Sequence, residues 1–539
     1  MIARGHLHYA ARYTKLGSDT WSQRVAGTME SLEETHWDVT ISGTGVAQSL
    51  LALALSRSGK KVLHVDKNPY YGGPEAALSL QEAVEWVSEV NKETACLPFE
   101  DAMVLTPGLS ESGSELSPSR AYTLSLSPQL IYSRSQLLPI LVSSKVYRQL
   151  EFQAVGSWWI YNSTTGRDKE LYRVPSSRED VFADDFISMK SKRTLMRFLR
   201  HLSQNLATQE PSDEQSSMLE EEDLAKPLPE YLTAKFHVPP ELYDPLLSLS
   251  LSQAPARSTL AHYAVPRIQR HLTSIGVFGP GFGSVLVKWG GSSEISQVGC
   301  RALAVGGGVY VLNSGIEKLN SGESNDSRIS LRLSSGEAIS SKFVVGSDWD
   351  LPSPTKTLFD CDKVSRSITI VSSPLDDLFP ATAEGGPVPA GAVVVFPAAS
   401  LGLTDESPPV YISVHSSETA ECPTGQSVLY GSVSIAGAQG QSLIADAIDR
   451  LLKSSAGPNA RVLWSLRYTQ LGRAVRGDTR PANVVLDNVI RFPAPSLDLA
   501  FDDSTIDLVK DAWSVIMGDE VSPDEFMKFD ERENYDDEE

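Results

Sequence analysis

The spacing of apolar residues changes period several times along this chain, and each change marks an element. Val39–Ile41 is a short apolar run that leads into Gly43-Thr44-Gly45. From Val46 to Arg57 apolar residues are dense enough for a buried helix, which Gly59 ends. Lys61–Val65 reads as a second strand, closed by Asp66. Leu137–Glu151 has helical spacing. Phe152–Val174 reads as a hairpin, with Trp158, Trp159, Tyr161 and Tyr172 around a Thr-Thr-Gly-Arg turn. From Arg178 to about His271 the period is helical again. Strand signals return at Val309–Asn313, Ile329–Leu333 and Phe343–Gly346. Later runs at Ser367–Ser372, Ala392–Phe396, Val410–His415, Val428–Ser434 and Arg461–Tyr468 are expected to complete a mixed sheet. Thr106–Ser119, Thr208–Pro229 and Gly518–Glu539 have no period and read as linkers and an acidic tail.

Strand, glycine turn, helix, strand and acid in that order form a Rossmann-type unit. The expected fold class is α/β: an FAD/NAD(P)-binding Rossmann-like multi-sheet domain with an inserted all-helical domain. Residues 1–36 are expected to be a disordered extension and 37–175 the first part of the Rossmann-like domain. Residues 176–272 are expected to be the helical domain, 273–517 the remainder of the first, and 518–539 the acidic disordered tail. In a cofactor reading, Gly43 and Gly45 cradle a pyrophosphate at the helix N-terminus and Asp66 holds a ribose hydroxyl. Gln48 stands where the third glycine of G-x-G-x-x-G belongs, so the competing reading is a turn kept without its ligand.

Composition narrows the class. The 539 residues suffice for two or three domains. A formal net charge of −21 argues against a nucleic-acid partner. Cys96, Cys300, Cys361 and Cys422 are scattered, with no C-x-x-C pair and no accompanying His cluster. A reduced, cytoplasmic chain without a structural metal is expected. No apolar run approaches the ~20 residues of a spanning helix. The Asp-Asp-Glu-Glu end carries no prenylation box. Before Met29, Arg4, Arg12, Lys15 and Arg24 face Asp19 as the only acid. That balance is like a mitochondrial presequence, and the simpler expectation is an unstructured extension or an early start.

Two constellations bear on function. After Asp66 the chain continues Asn68-Pro69-Tyr70-Tyr71-Gly72-Gly73, a turn that presents an aromatic where an oxidase would carry an Arg-rich or Gly-rich flavin loop. Ser292–Val311 reads SSEISQVGCRALAVGGGVYV, with Ser292 or Ser293 as candidate N-cap. Glu294, Gln297 and Arg301 fall at i, i+3 and i+7 on one helix face, while Ile295, Val298 and Ala302 pack inward. Such a stripe is also what a plainly solvated face shows.

Taken with the preceding V-L-H-V-D, these segments resemble the superfamily of Rab GDP-dissociation inhibitors and Rab escort proteins. The resemblance implies a flavoprotein-like fold without redox catalysis or a bound FAD, and GDP-loaded Rab GTPases as partners. It implies a Rab-binding platform of Tyr71, Arg120 (before Tyr122-Thr123-Leu124), Glu294, Gln297 and Arg301, with Val309 and Val311 also touching the GTPase. Ser135–Phe152 resembles the region that binds the GTPase C-terminal tail, best at Val142, Val146 and Arg148. Gly43, Gly45 and Asp66 then become a vestigial dinucleotide turn. The chain departs from the family block where Gly-Phe becomes Val298-Gly299, so packing behind the platform is expected to differ.

A last stripe separates the branches of that superfamily. Phe182, Phe186, Met189 and Arg193 fall at i, i+4, i+7 and i+11, on one face of a single helix. A guanidinium at the end of an apolar stripe suits a core poorly. The stretch D-V-F followed by S-K-R resembles the escort branch. There this Phe and Arg grip the alpha subunit of Rab geranylgeranyltransferase. The resemblance implies a non-catalytic accessory of prenylation that presents Rab proteins and shields the geranylgeranyl lipid. It also implies transient contact with membranes during delivery. The alternatives are a dissociation inhibitor of Rab recycling and an FAD-dependent oxidase.

Overall fold

The computed structural model describes residues 32–529 apart from 34, 94–96, 108–115, 163–169, 176–177, 186, 205–220, 322–327, 353–360, 458, 476–479 and 519–520. The N-terminal extension, much of the Thr106–Ser119 and Thr208–Pro229 stretches, the Thr-Thr-Gly-Arg turn, Cys96, Phe186 and residues 530–539 lie outside the described residues.

The chain opens with β1 (His36–Ser42), α1 (Val46–Arg57) and β2 (Val62–Val65). Next come α2 (Leu80–Val90), β3 (Phe99–Leu105), α3 (Leu137–Ser143), β4 (Phe152–Tyr161) and β5 (Leu171–Arg173). A helical stretch holds α4 (Arg178–Ala183), α5 (Met189–Gln204), α6 (Tyr243–Ser250) and α7 (Ala261–Ser274). The chain returns through β6 (Ser284–Val287), α8 (Ser292–Val305), β7 (Val309–Val311), β8 (Ile316–Ser321), β9 (Ile329–Leu333) and β10 (Ala338–Ser347). It continues with β11 (Asp362–Val371), β12 (Gly391–Phe396), β13 (Val410–Ser416), β14 (Ser427–Val433) and α9 (Gly437–Ser455). It ends with β15 (Val462–Gly472), β16 (Val484–Leu486), β17 (Val489–Phe492) and α10 (Ser504–Met517).

The first sheet runs β7-β2-β1-β10-β9-β8, with β17 on the second half of β10 and β16 beyond it. β7, β2, β1, β10 and β17 are mutually parallel, as crossover helices require. Buried Val39, Ile41 and Val345 on one face meet α1, α8 and α10. Leu63, Val65 and Val344 pack on the other face with Trp37 and Leu331.

The later strands do not complete this sheet. They form a second one, in the order β3-β15-β11-β14-β13-β12-β4-β6, antiparallel except where β12 meets β4. The reason is that both of its faces are covered. Val393 and Val395 face the helical stretch, through Leu246, Leu249 and Val265. Ala392, Val394 and Phe396 face α9, through Ile444, Ile448 and Leu451. A strand buried on both sides loses the polar alternation that would separate one sheet from another in sequence.

Two expected helices are broken. α3 ends at Ser143, Lys145 adopts φ 60°, and Val146–Gln149 is a separate 3-10 turn. The hydroxyls of Ser143 and Ser144 donate to the carbonyls of Ile140 and Leu141, competing with the helical ladder. The expected Phe182–Arg193 helix splits into α4 and α5. Asp184 accepts from Tyr172 Oη at 2.6 Å and from the Ile187 N–H at 3.3 Å, while Ser188 Oγ accepts from the Ser191 N–H at 3.1 Å. Those bonds cap a new helix start. The N-cap of α8 is Gly291, without a side-chain cap, instead of Ser292 or Ser293.

Candidate functional site

The glycine turn is wired inward. Asp66 Oδ2 accepts from the Thr44 N–H at 2.8 Å and from Thr44 Oγ1 at 2.6 Å, and its Oδ1 accepts from Asn68 N and Nδ2. Both oxygens are thus committed within the chain, which corrects the reading of Asp66 as a ribose ligand. Thr44 Oγ1 also accepts from the Gly72 N–H at 3.0 Å, so the Tyr-Tyr-Gly-Gly turn hangs from the glycine turn. Gly72 has φ 97°, and a Cβ there would stand 2.9 Å from the Ala76 backbone, so only glycine fits. On the other side of Asp66, its N–H donates to the Val311 carbonyl and its carbonyl accepts from Ser314. One buried acid therefore fixes the tyrosine turn relative to β7.

This places Tyr71 beside the α8 stripe. Its ring centroid lies 6.0 Å from that of Tyr310, between Val309 and Val311 on β7. Burial raises the Tyr71 phenol well above its usual range, Tyr310 adds to the rise, and the Arg301 guanidinium pulls against it. Arg301 Nη2 donates to Glu294 Oε1 at 2.9 Å. Burial pushes the Glu294 carboxyl upward, with Arg301 opposing. Arg301 remains 53% exposed and Glu294 only 15%. Gln297 is half-buried on the same face, while Ile295, Val298 and Leu303 are sealed in the core. At the Val298-Gly299 departure, a Cβ at Gly299 would make ordinary contact with Ser49 of α1 at 3.4 Å, so α8 and α1 pack closely there. Cys300, next to it, lies 3.8 Å from His64 Nδ1, and His64 Nε2 lies 2.6 Å from the Gly43 carbonyl. Burial lowers this histidine to about 4, so it is a neutral donor to that carbonyl.

The other expected residues separate. Arg120 is exposed on a 3-10 turn, and the Thr123 methyl of the same segment lines Gly290 ahead of α8. Val142 is 54% exposed and Arg148 is exposed, but Val146 is buried in the core and cannot touch a ligand. Phe182 is 48% exposed on α4 and Arg193 is exposed on α5. Lys192 Nζ donates to the Phe182 carbonyl at 2.8 Å, drawing the two helices together. Tyr310 was missed in the sequence, and its only signal is its place between Val309 and Val311.

A dinucleotide does not suit this turn. A Cβ at Gly43, whose φ is 89°, would stand 2.6 Å from the Asp350 carboxylate. One at Gly45 would stand 2.8 Å from Gln48 Oε1 and 3.2 Å from Glu75 Oε2. Gln48 Nε2 donates to Asp350 Oδ2 at 3.1 Å, closing the space that a third glycine would leave open. Two carboxylates thus face the place where a pyrophosphate would bring further negative charge. What remains is a cavity of about 70 Å³ lined by Gln48, Glu75, Ser347 and Arg473, among others. Among the described residues no group of three or more His, Cys, Asp or Glu could hold a metal ion, and no helix is long and apolar enough to cross a membrane.

Residues 32–454 match the family model of the GDP dissociation inhibitors. A relative from Saccharomyces cerevisiae, Rab proteins geranylgeranyltransferase component A, is 30% identical over 416 residues, covering 77% of this chain and 64% of that protein. Rab escort protein 1 from Arabidopsis thaliana is 25% identical over 453 residues, covering 74% and 77%. The chain spans slightly less than two thirds of the length of the first curated relatives it matches. Among solved structures, Rab GDI from Plasmodium falciparum superposes with a TM-score of 0.61 at 19% identity, over 89% of this chain and 97% of that one. That likeness concerns the fold.

Proposed function

The chain belongs to the GDP dissociation inhibitor family, and from that premise we propose that it is an escort for Rab GTPases. It binds a newly made Rab in the GDP form, presents it to Rab geranylgeranyltransferase, and carries the prenylated product to a membrane. It performs no bond chemistry of its own. The observation that carries this reading is the joined surface of Tyr71, Glu294, Arg301 and Tyr310. A phenol, a carboxylate and a guanidinium held on rigid elements can pair with the polar switch loops of a GTPase and discriminate between their conformations. Tyr and Arg are also common anchors of protein interfaces.

Val142 and Arg148 would receive the GTPase C-terminal tail, with Val146 holding that segment from within. The transferase alpha subunit would dock on Phe182 and Arg193. These two residues favour the escort reading over a pure dissociation inhibitor, because both are exposed and their stretch resembles the escort branch. The geranylgeranyl chain needs shelter, since each exposed CH₂ costs about 0.8 kcal/mol in water. Helices α5 to α7 are the apolar store nearest the docking residues, through Phe198, Leu246 and Leu249. Cytoplasmic residence with brief membrane visits completes the proposal.

The test is reconstitution. Purified transferase and GDP-loaded Rab are incubated with labelled geranylgeranyl diphosphate, with and without this chain. Stimulated incorporation is expected. No stimulation would refute the escort role, and Rab extraction from membranes without stimulation would return the protein to the inhibitor branch.

A further inference from the structure

Helix α1 starts without a side-chain cap, because its N-cap is Gly45. In a dinucleotide-binding unit, a ligand phosphate meets the N–H groups at this end. Here the Glu75 carboxylate reaches the place. Its Oε2 lies 3.2 Å from where a Cβ on Gly45 would stand, and is sealed from solvent with no hydrogen-bond partner. Glu75 closes the turn that carries Tyr71, with its N–H on the Gly72 carbonyl at 2.8 Å. Gly72 in turn hangs from Thr44, the residue just before the helix cap.

We propose that the Glu75 carboxyl takes the place of the ligand phosphate at the α1 N-terminus and so positions Tyr71. The positioning half rests on the platform reading above. The family fold keeps a phosphate-binding turn, and this chain fills it from its own tyrosine turn. The occupied turn then serves partner recognition as a rigid mount. Glu75 is a positioning residue, since it acts through Tyr71.

The groups around it are mostly acidic. Asp350 faces it from the loop after β10, and Asp66 stands at the end of β2. Lys67 offsets Asp350, Arg473 lines the same cavity, and Gln48 is the neutral neighbour on α1. Burial pushes Glu75 up to about 7, while the N–H groups of Glu75 and Val46 pull down and Asp350 adds to the rise. A carboxyl raised in the fold stabilises the protein at low pH. That contribution is lost as pH climbs from the ordinary value of 4.5 through about 7.

The test compares wild type with Glu75→Ala in melting experiments with sodium acetate or phosphate against chloride at matched ionic strength. The variant is expected to melt on the order of 2 °C lower. Acetate or phosphate should then raise its melting temperature and leave wild type unmoved. An equal response in both proteins overturns the proposal. Should Glu75→Ala fail to fold, Glu75→Gln keeps the shape and removes the titrating group. Its melting profile should lose part of the decline that wild type shows between roughly pH 5 and 8. A profile parallel to wild type overturns the proposal as well. Positioning is read by titrating GDP-loaded Rab onto Glu75→Ala, whose affinity should fall about threefold and recover with acetate. Recovered melting without recovered affinity overturns the positioning half. A wild-type chain that bound no Rab would overturn the platform reading and positioning together, while the melting arms judge the carboxyl independently.

Discussion

Arg301 separates stability from recognition by magnitude. It is half exposed, so its pair with Glu294 adds at most about 1 kcal/mol to the fold. If it is an interface anchor beside Tyr71, as proposed, its loss should lower GDP-Rab affinity by roughly tenfold or more. Arg301→Ala is therefore expected to keep the wild-type denaturant midpoint while binding Rab poorly by titration calorimetry. Unchanged affinity would remove Arg301 from the platform. Thr44 is the reverse case, a buried side chain that can touch no partner itself. Thr44→Val strips a hydroxyl from the Asp66 carboxylate and frees the Gly72 N–H, costing about 1–3 kcal/mol in urea unfolding. A cost below ~0.5 kcal/mol would show that the link is idle. The i, i+3, i+7 spacing makes Glu294, Gln297 and Arg301 readable as one face from sequence alone. Asp350 and Glu75 were not readable as neighbours of the glycine turn. Asp350 arrives from some 300 residues away, and Glu75 follows a glycine turn that carries no sequence mark of its approach to α1.

Helices α4 and α5 show where periodicity misleads. Phe182, Met189 and Arg193 do have helical spacing, and the stripe reads as one element. The capping bonds of Asp184 and Ser188 interrupt it, and a short polar side chain inside a helical pattern gave the only warning. The consequence for function is a corner. Phe182 and Arg193 sit on two helices whose mutual placement depends on Lys192 and on the cap of α5. Phe182→Ala should leave Rab affinity and melting temperature close to wild type, because the ring is half exposed, yet abolish most transferase binding in a pull-down with purified subunits. Transferase binding equal to wild type would move the docking surface elsewhere. Ser188→Ala should weaken transferase binding indirectly, by loosening an α5 start worth about 1 kcal/mol.

At the scale of the whole molecule, the Rossmann-type unit was legible because its glycine turn and acid are local in sequence. The division into two sheets was not, since strands such as β12 and β14 are apolar on both faces and carry no mark of which neighbours they choose. The same division sets the working geometry. The proposed Rab platform rides on the first sheet and the proposed transferase dock rides on the helical stretch, so the proposed escort role needs the two held at a fixed spacing. A row of ion pairs joins them. Arg267 of α7 meets Asp498 at 2.5 Å, and Arg270 meets Asp503 at 3.2 Å, where the chain enters α10. Asp498 is almost wholly buried and Arg267 largely so. Asp498→Ala would leave that guanidinium buried beside no carboxylate, at a cost of about 3–5 kcal/mol in equilibrium unfolding. Replacing both partners, Arg267→Met with Asp498→Leu, should recover most of that stability, because a packed apolar pair replaces the buried charges at little net cost. If the pair acts as a spacer, the double variant should bind Rab and transferase separately as well as wild type and stimulate geranylgeranylation less. Wild-type stimulation by the double variant would show that packing between α7 and the second sheet holds the spacing without the charges.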